Sequence, residues 1–228
     1  MNAEELDPIL VIELMKKRAT LKVLGNAQAP IEFSHESAQQ NDAIVRRSVE
    51  TAGWAPFHFN RDINGLAEPW RAHILWHQEC RQVAGNFFDW FTDVQPTNKL
   101  PSMLSACGAL VLVTWIPQFR TKQGQSPKAL NEKQIQIDEE HLAASSAMTQ
   151  NLLLLLTSHG MGTYWSSGGQ FRTEGMFEKL GIDTQERLLG AIFVEYPETQ
   201  ALQLERIPGK LREARDTRWI REIQQITP

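Results

Sequence analysis

"SSAMTQNLLLLLTSHGMGTYWSSG", residues 145–168, decides the fold. Its first half, from Ala147 and Met148 through the leucines at 152–156, is apolar on nearly every side of a helix. A surface helix keeps one polar face, so this helix lies inside the protein. The helical pattern reaches back to about Ile135 and ends near Ser158. A helix buried all round in a chain of 228 residues often reaches a subunit interface as well as the core. Gly160 then fits a helix C-cap leading into a turn. The Gly160-x-Gly162 pair makes a weak dinucleotide fingerprint, which should follow a strand and open a helix. Tyr164 and Trp165 come next, ahead of Ser166, Ser167, Gly168 and Gly169. Small residues beside large rings let backbone amides approach a flat ligand closely.

On either side of this segment stand two strong strand signals, "GALVLVTWI" (108–116) and "RLLGAIFVEYP" (187–197), with a third in "RAHILWH" (71–77). Apolar, β-branched and unbroken, residues 108–116 fit a strand buried on both faces. Helical spacing marks residues 4–17, 41–51 and 78–93, and "MFEKLGI" is a short helix. The polar stretch "PQFRTKQGQSPKALNEKQ" is loop-like. The order is helix, helix, strand, helix, strand, long helix, strand. It predicts an α+β chain with helices flanking a sheet of four to five strands, and 228 residues suit one large domain or two small ones.

Composition narrows the function classes. With 42% hydrophobic residues the chain can bury a sizeable core. A net charge of −4 and a pI near 5.9 give no global attraction to nucleic acid or anionic lipid. No apolar run approaches the roughly eighteen residues needed to span a bilayer. The acidic start "MNAEELDPIL" lacks the features of a secretory signal. Cys80 and Cys107 stand outside any CxxC spacing, and a cytoplasmic protein is expected. Nucleophile elbows, HExxH and P-loops are absent from the sequence.

Three basic strings compete for a phosphate. In "KKRATLK" (16–22), Lys16, Lys17 and Arg18 compensate a helix dipole in the commoner reading. Thr20 and Lys22 run past the helix end, however, and Arg18, Thr20 and Lys22 alternate around Ala19 and Leu21. In an extended segment they share one face and make a phosphate cradle of guanidinium, hydroxyl and ammonium. In "IVRRSVE" (44–50) the pattern is helical, so Arg46 and Arg47 diverge by about 100° and read as a solvated face. "GKLREARDTRW" (209–219) carries Lys210, Arg212 and Arg215, which taken alone are surface charges. His73 and His77 are four apart in a predicted strand, about 13 Å, too far to share a metal.

"WAPFHFNRDINGLAEPW" (54–70) collects Trp, Phe, His and Pro in a segment too irregular for a helix. It is either loop packing or the wall of a site. Taken in order, these segments resemble the nitroreductase family of FMN-dependent oxidoreductases, over about residues 8–220. "KRATLKVL" stands where that family has an "RRSxRxF"-like string. "WAPFHFNRDINGLAEPWRAHIL" stands where it has an "A-P-S-x-x-N-x-Q-P-W" type segment. "QNLLLLLTSHGMGTYWSSG" is similar to its long helix and "GLGxxW" turn, and "LGAIFVEYPE" to its late strand. The likeness is greatest to short members with a His soon after Ala-Pro, matching His58. The chain departs from the pattern at Ala19, in a longer spacing between Pro56 and Pro69, and at Glu68, where Gln is common. A carboxylate facing a flavin disfavours its anionic reduced form, so Glu68 is expected to point elsewhere.

The resemblance implies a single domain over residues 1–228, with a mostly antiparallel sheet, a long central helix at a dimer interface, and FMN. It implies that Arg18, Ala19, Thr20 and Lys22 hold the phosphate and ribityl end, with Lys210 or Arg212 completing that site. Tyr164, Trp165, Ser166, Ser167 and Gly168 line the isoalloxazine, with main-chain N–H groups near N5. Family members are homodimers with shared flavin sites, so Trp54 and His58 reach the partner's flavin. NADH or NADPH reduces FMN by hydride transfer, and the electrons pass to a nitroaromatic, quinone or similar small acceptor in ping-pong order. Alternatives are a same-fold flavoenzyme with other chemistry, such as reductive dehalogenation or ring dehydrogenation, and a non-enzymatic FMN-binding module. The segment between His58 and Glu68 is where substrate choice is expected to lie.

Overall fold

The computed structural model describes residues 7–58, 65–120, 129–210 and 217–223. Asp7 caps the first helix, α1 (Pro8–Lys17), by accepting the Ile9 amide at 2.9 Å, and Pro8 fills the first turn without wasting a donor. The predicted start of this helix at residue 4 lies outside the described residues. The chain straightens at Arg18 into β1 (Leu21–Leu24). Ser34 caps α2 (His35–Ala52), which begins earlier than its apolar spacing indicates because its first turns, "HESAQQ", are polar.

β2 (Trp70–Trp76) runs directly into α3 (His77–Trp90). A further helix, α4 (Leu100–Ala106), is too short and proline-started to show a period in the sequence. It leads into β3 (Ala109–Trp115), buried at every position as expected. α5 (Glu132–Ser158) is the long helix, opened by a reciprocal cap between Asn131 and Gln134. Met148, Leu152, Leu153 and Leu156 are buried on it. Gly160 ends it with φ +75°, as a C-cap glycine should. The turn expected next is instead a strand, β4 (Gly162–Ser166). Five residues between glycines are too few to display alternation. α6 (Glu174–Leu180), β5 (Arg187–Glu195) and β6 (Glu205–Pro208) follow, with single 3-10 turns at Gly169–Arg172 and Pro197–Ala201.

Four strands form one sheet in the order β2-β3-β5-β4, with every neighbouring pair antiparallel. Side chains alternate along β3. Leu110 and Leu112 face a cluster with Phe87, Leu104, Phe171 and Phe177 from α3, α4 and the α6 region. Val111 and Val113 face α5, where Met148, Leu152 and Leu156 pack with Val45 of α2. The sheet is thus covered on both faces by helices. A separate two-stranded ribbon pairs β1 with β6, Lys22 opposite Ile207. β6 was not legible as a strand, because "ERIP" is short, charged and ends in proline.

Candidate functional site

The ribbon carries the first basic string to the β4 edge of the sheet. The Arg18 amide closes α1 on the Leu14 carbonyl at 3.0 Å, and its ψ of 114° ends the helical run. Beyond that point the alternation predicted for an extended segment holds. Arg18 Nη1 reaches Thr20 Oγ1 at 3.4 Å, and Thr20 makes a parallel bridge to Thr163, next to Tyr164. The Lys22 ammonium stands 4.9 Å above the centre of the Tyr164 ring, within cation–π range. On the other side, the Gly209 amide donates to the Thr20 carbonyl at 3.0 Å. A Cβ on Gly209 would come within 3.1 Å of the Thr20 Cβ. Lys210 follows, exposed. Arg18, Thr20, Lys22 and Lys210 thus come from two distant parts of the chain to one edge. Ala19 is exposed between them, and Arg212 lies outside the described residues. Gly209 and Thr163 carry no chemistry in the sequence; only pairing reveals them.

Along β4 the aromatic pair divides. Tyr164 lies opposite Phe193, ring centres 6.0 Å apart, on the α3/α4 face. Trp165 packs with the α5 cluster, its indole so close over Gly190 that a Cβ there would meet Nε1 at 2.1 Å. The two rings therefore line opposite faces of the strand and do not form one continuous wall. Past the strand, Ser166 Oγ accepts the Gly168 amide at 3.2 Å, and Gly168 adopts φ +108° under Leu188. Arg172 ties this turn to β5: it donates to the Ser167 carbonyl and, at 2.7 Å, to that of Leu188. Burial and the nearby Arg187 lower the pKa of Arg172.

Trp54 and His58 lie elsewhere. Trp54 follows α2 and is 88% exposed, beside a groove of about 610 Å³ with Leu66, Glu68, Trp70 and Met148. His58 is also exposed. This groove borders β2, the opposite edge of the sheet from β4. Four strands at about 4.8 Å separate the two edges by about 14 Å, so one chain does not bring Trp54 to Tyr164. Residues 59–64, most of the stretch between His58 and Glu68, lie outside the described residues. Arg71 fixes the end of that stretch by donating to the Glu68 and Trp70 carbonyls at 2.9 and 2.6 Å.

The second basic string is solvated as expected. Arg46 and Arg47 are exposed on α2, with Arg46 5.5 Å over the Trp76 ring. They border a groove that also holds Asp42, whose carboxyl burial raises above its ordinary value. His73 and His77 have separate partners: His73 Nε2 lies 2.6 Å from Glu186, and His77 packs edge-on to Phe33. Among the described residues no cluster of His, Cys, Asp or Glu could hold a metal.

With this geometry in place, relatives give the family. The profile of the nitroreductase family matches residues 39–194. The chain belongs to the nitroreductase family. It is 24% identical over 161 residues to the YfhC protein of Bacillus subtilis (strain 168), which bears a provisional NAD(P)H nitroreductase name; the match covers 68% of this chain and 74% of that one. A nitroreductase-like family protein of Bacillus cereus shares the fold with a TM-score of 0.65 and 19% identity, over 94% of this chain and 96% of that one. A provisionally named nitroreductase of Desulfovibrio desulfuricans, solved in complex with FMN, superposes with a TM-score of 0.53 at 16% identity, over 98% and 99% of the two chains. The profile begins after α1 and β1 and ends before β6, so the β1–β6 ribbon lies outside the matched residues.

Proposed function

We propose that this nitroreductase-family protein is an FMN-dependent NAD(P)H oxidoreductase, working on a nitroaromatic, quinone or similar small acceptor. The observation that carries the reading is the meeting of Arg18, Thr20 and Lys22 with Gly209 and Lys210 at the Tyr164 edge. A guanidinium, a hydroxyl and two ammonium groups suit a phosphate monoester, and Gly209 lets the backbone approach closely. The FMN-bound Desulfovibrio desulfuricans relative supports the same cofactor. When bound, FMN supplies the redox chemistry, accepting a hydride from NADH or NADPH and passing electrons on in ping-pong order.

The chain's own residues place and shield that group. The cations neutralise the phosphate, Tyr164 offers a ring face beside it, and the turn at Ser166–Gly168 brings main-chain groups near. Arg172, latched to β5, holds this turn in place. Lys22 above Tyr164 adds positive charge, which favours an anionic reduced ring.

A homodimer with shared sites completes the reading. α1 leaves Ile9, Leu10 and Met15 at 65%, 67% and 54% exposure, and Trp54 is more exposed still. Such apolar surface favours a second copy. With the sheet edges about 14 Å apart, Trp54 and His58 serve the partner's flavin better than their own. The free, buried thiols of Cys80 and Cys107 fit the reducing cytoplasm.

Steady-state oxidation of NADH and NADPH by FMN-loaded protein, with a nitroaromatic or quinone acceptor, tests the proposal. Turnover with parallel double-reciprocal lines is expected. Tight FMN binding without turnover would make the protein a flavin-binding module, and failure to bind FMN would end the assignment. Sedimentation at micromolar concentration should show a dimer.

A further inference from the structure

The β1–β6 ribbon is tied to the rest of the molecule partly through one ion pair. Arg206 of β6 donates from Nη2 and Nε to Oε1 of Glu195, at 2.6 and 3.2 Å. Glu195 is the last residue of β5 and 4% exposed. The same guanidinium holds the Thr199 carbonyl at 2.8 Å and the Leu202 carbonyl at 2.9 Å. One side chain thus fastens the connection after β5, and β6 itself, to a single buried carboxylate.

Glu195 also meets β4. It pairs in register with Gly162, and its second oxygen is buried without a hydrogen-bond partner among the described residues. A Cβ on Gly162 would lie 2.7 Å from that oxygen, so glycine leaves the room the carboxylate occupies. The pair therefore sits where β4, β5 and β6 join.

Register passes from there to the cradle. Arg206 faces Val23, Ile207 faces Lys22 and Pro208 faces Leu21, and the Gly209 amide then reaches the Thr20 carbonyl. A slip of one residue in β6 would part the Gly209 amide from the Thr20 carbonyl and carry Lys210 away from Thr20 and Lys22.

We propose that Glu195 and Arg206 are positioning residues for the phosphate end of the flavin, setting the ribbon register that brings Gly209 and Lys210 to Arg18, Thr20 and Lys22. The inference rests on the flavin reading above. Neither residue need touch the ligand. A buried ion pair holds while both partners stand, and losing one leaves an unpaired charge that the ribbon moves to relieve.

Riboflavin separates this role from a general loss of structure, since it has the ring and ribityl chain of FMN without the phosphate. Equilibrium titrations of FMN and riboflavin, followed by flavin fluorescence, compare the wild type with Arg206→Ala and Arg206→Lys. A double variant, Glu195→Gln with Arg206→Gln, removes both charges and guards against a fold lost to one stranded carboxylate. The preference for FMN over riboflavin should fall about tenfold in Arg206→Ala and in the double variant. Arg206→Lys should recover part of it. An unchanged preference, or FMN and riboflavin weakened by the same factor, overturns the positioning role. A wild type that binds neither flavin overturns the flavin reading itself, and this inference with it.

Discussion

Two stretches of this chain contain the same ingredients and use them in opposite ways. "KRATLK" (17–22) and "VRRSVE" (45–50) each combine basic residues with one hydroxyl. In the second, all six residues lie within α2, where neighbouring side chains diverge by about 100°. Arg46 and Arg47 face solvent, whereas Ser48 is 2% exposed with no hydrogen-bond partner among the described residues. In the first, the helix stops at Lys17 and the chain extends. Arg18 and Thr20 then come within 3.4 Å, and Lys22 reaches the Tyr164 ring. What separates a converging cluster from a solvated face is backbone period, not composition.

Replacing cations tests that contrast hardest. Arg18→Ala with Lys22→Ala should raise the FMN dissociation constant about a hundredfold, from two charge-assisted contacts of about 1.5 kcal/mol each. Equilibrium titration measures it, and Arg46→Ala with Arg47→Ala should stay within about twofold. The reverse pattern would mean the helical string holds the phosphate. A smaller effect, about five- to tenfold, is expected for Thr20→Val, with riboflavin binding unaffected. Ser48→Ala should leave the melting temperature unchanged or raise it, because it removes a buried hydroxyl without a hydrogen-bond partner among the described residues. A clear drop in melting temperature would show that Ser48 is held after all.

The smallest effect concerns pH. Burial raises the Asp42 carboxyl pKa, so the folded state disfavours the charged form. Wild-type stability should therefore fall relative to Asp42→Asn as pH rises through that raised value, and the gap should close below the ordinary carboxylate range. Paired thermal melts from pH 3 to 7, about the span of the titration, would show it.

Sequence made much of the fold legible wherever a period ran long enough. Residues 108–116 and about 135–158 show a buried strand and a long helix plainly, whereas residues 132–134, the polar first turn of α5, read as the end of the preceding loop. β4 and β6 escaped because five and four residues give alternation no room, and β6 is charged. The start of α2 is hidden for a related reason, its polar first turns carrying no apolar signal. Of the site, the alternation of Arg18, Thr20 and Lys22 was visible, since it needs only local geometry. The company of Gly209, Thr163, Glu195 and Arg206 was not, because long-range strand pairing brings them together. Adjacency in sequence does not give a shared face: Tyr164 and Trp165 flank a strand on opposite sides.

On the proposed function, the ribbon edge holds a flavin phosphate. The most direct test is the visible absorbance spectrum of purified protein, incubated with FMN and freed of unbound flavin by gel filtration. Flavin bands should travel with the wild-type protein and be lost from Arg18→Ala with Lys22→Ala. A wild-type protein that emerges folded and colourless would contradict the account.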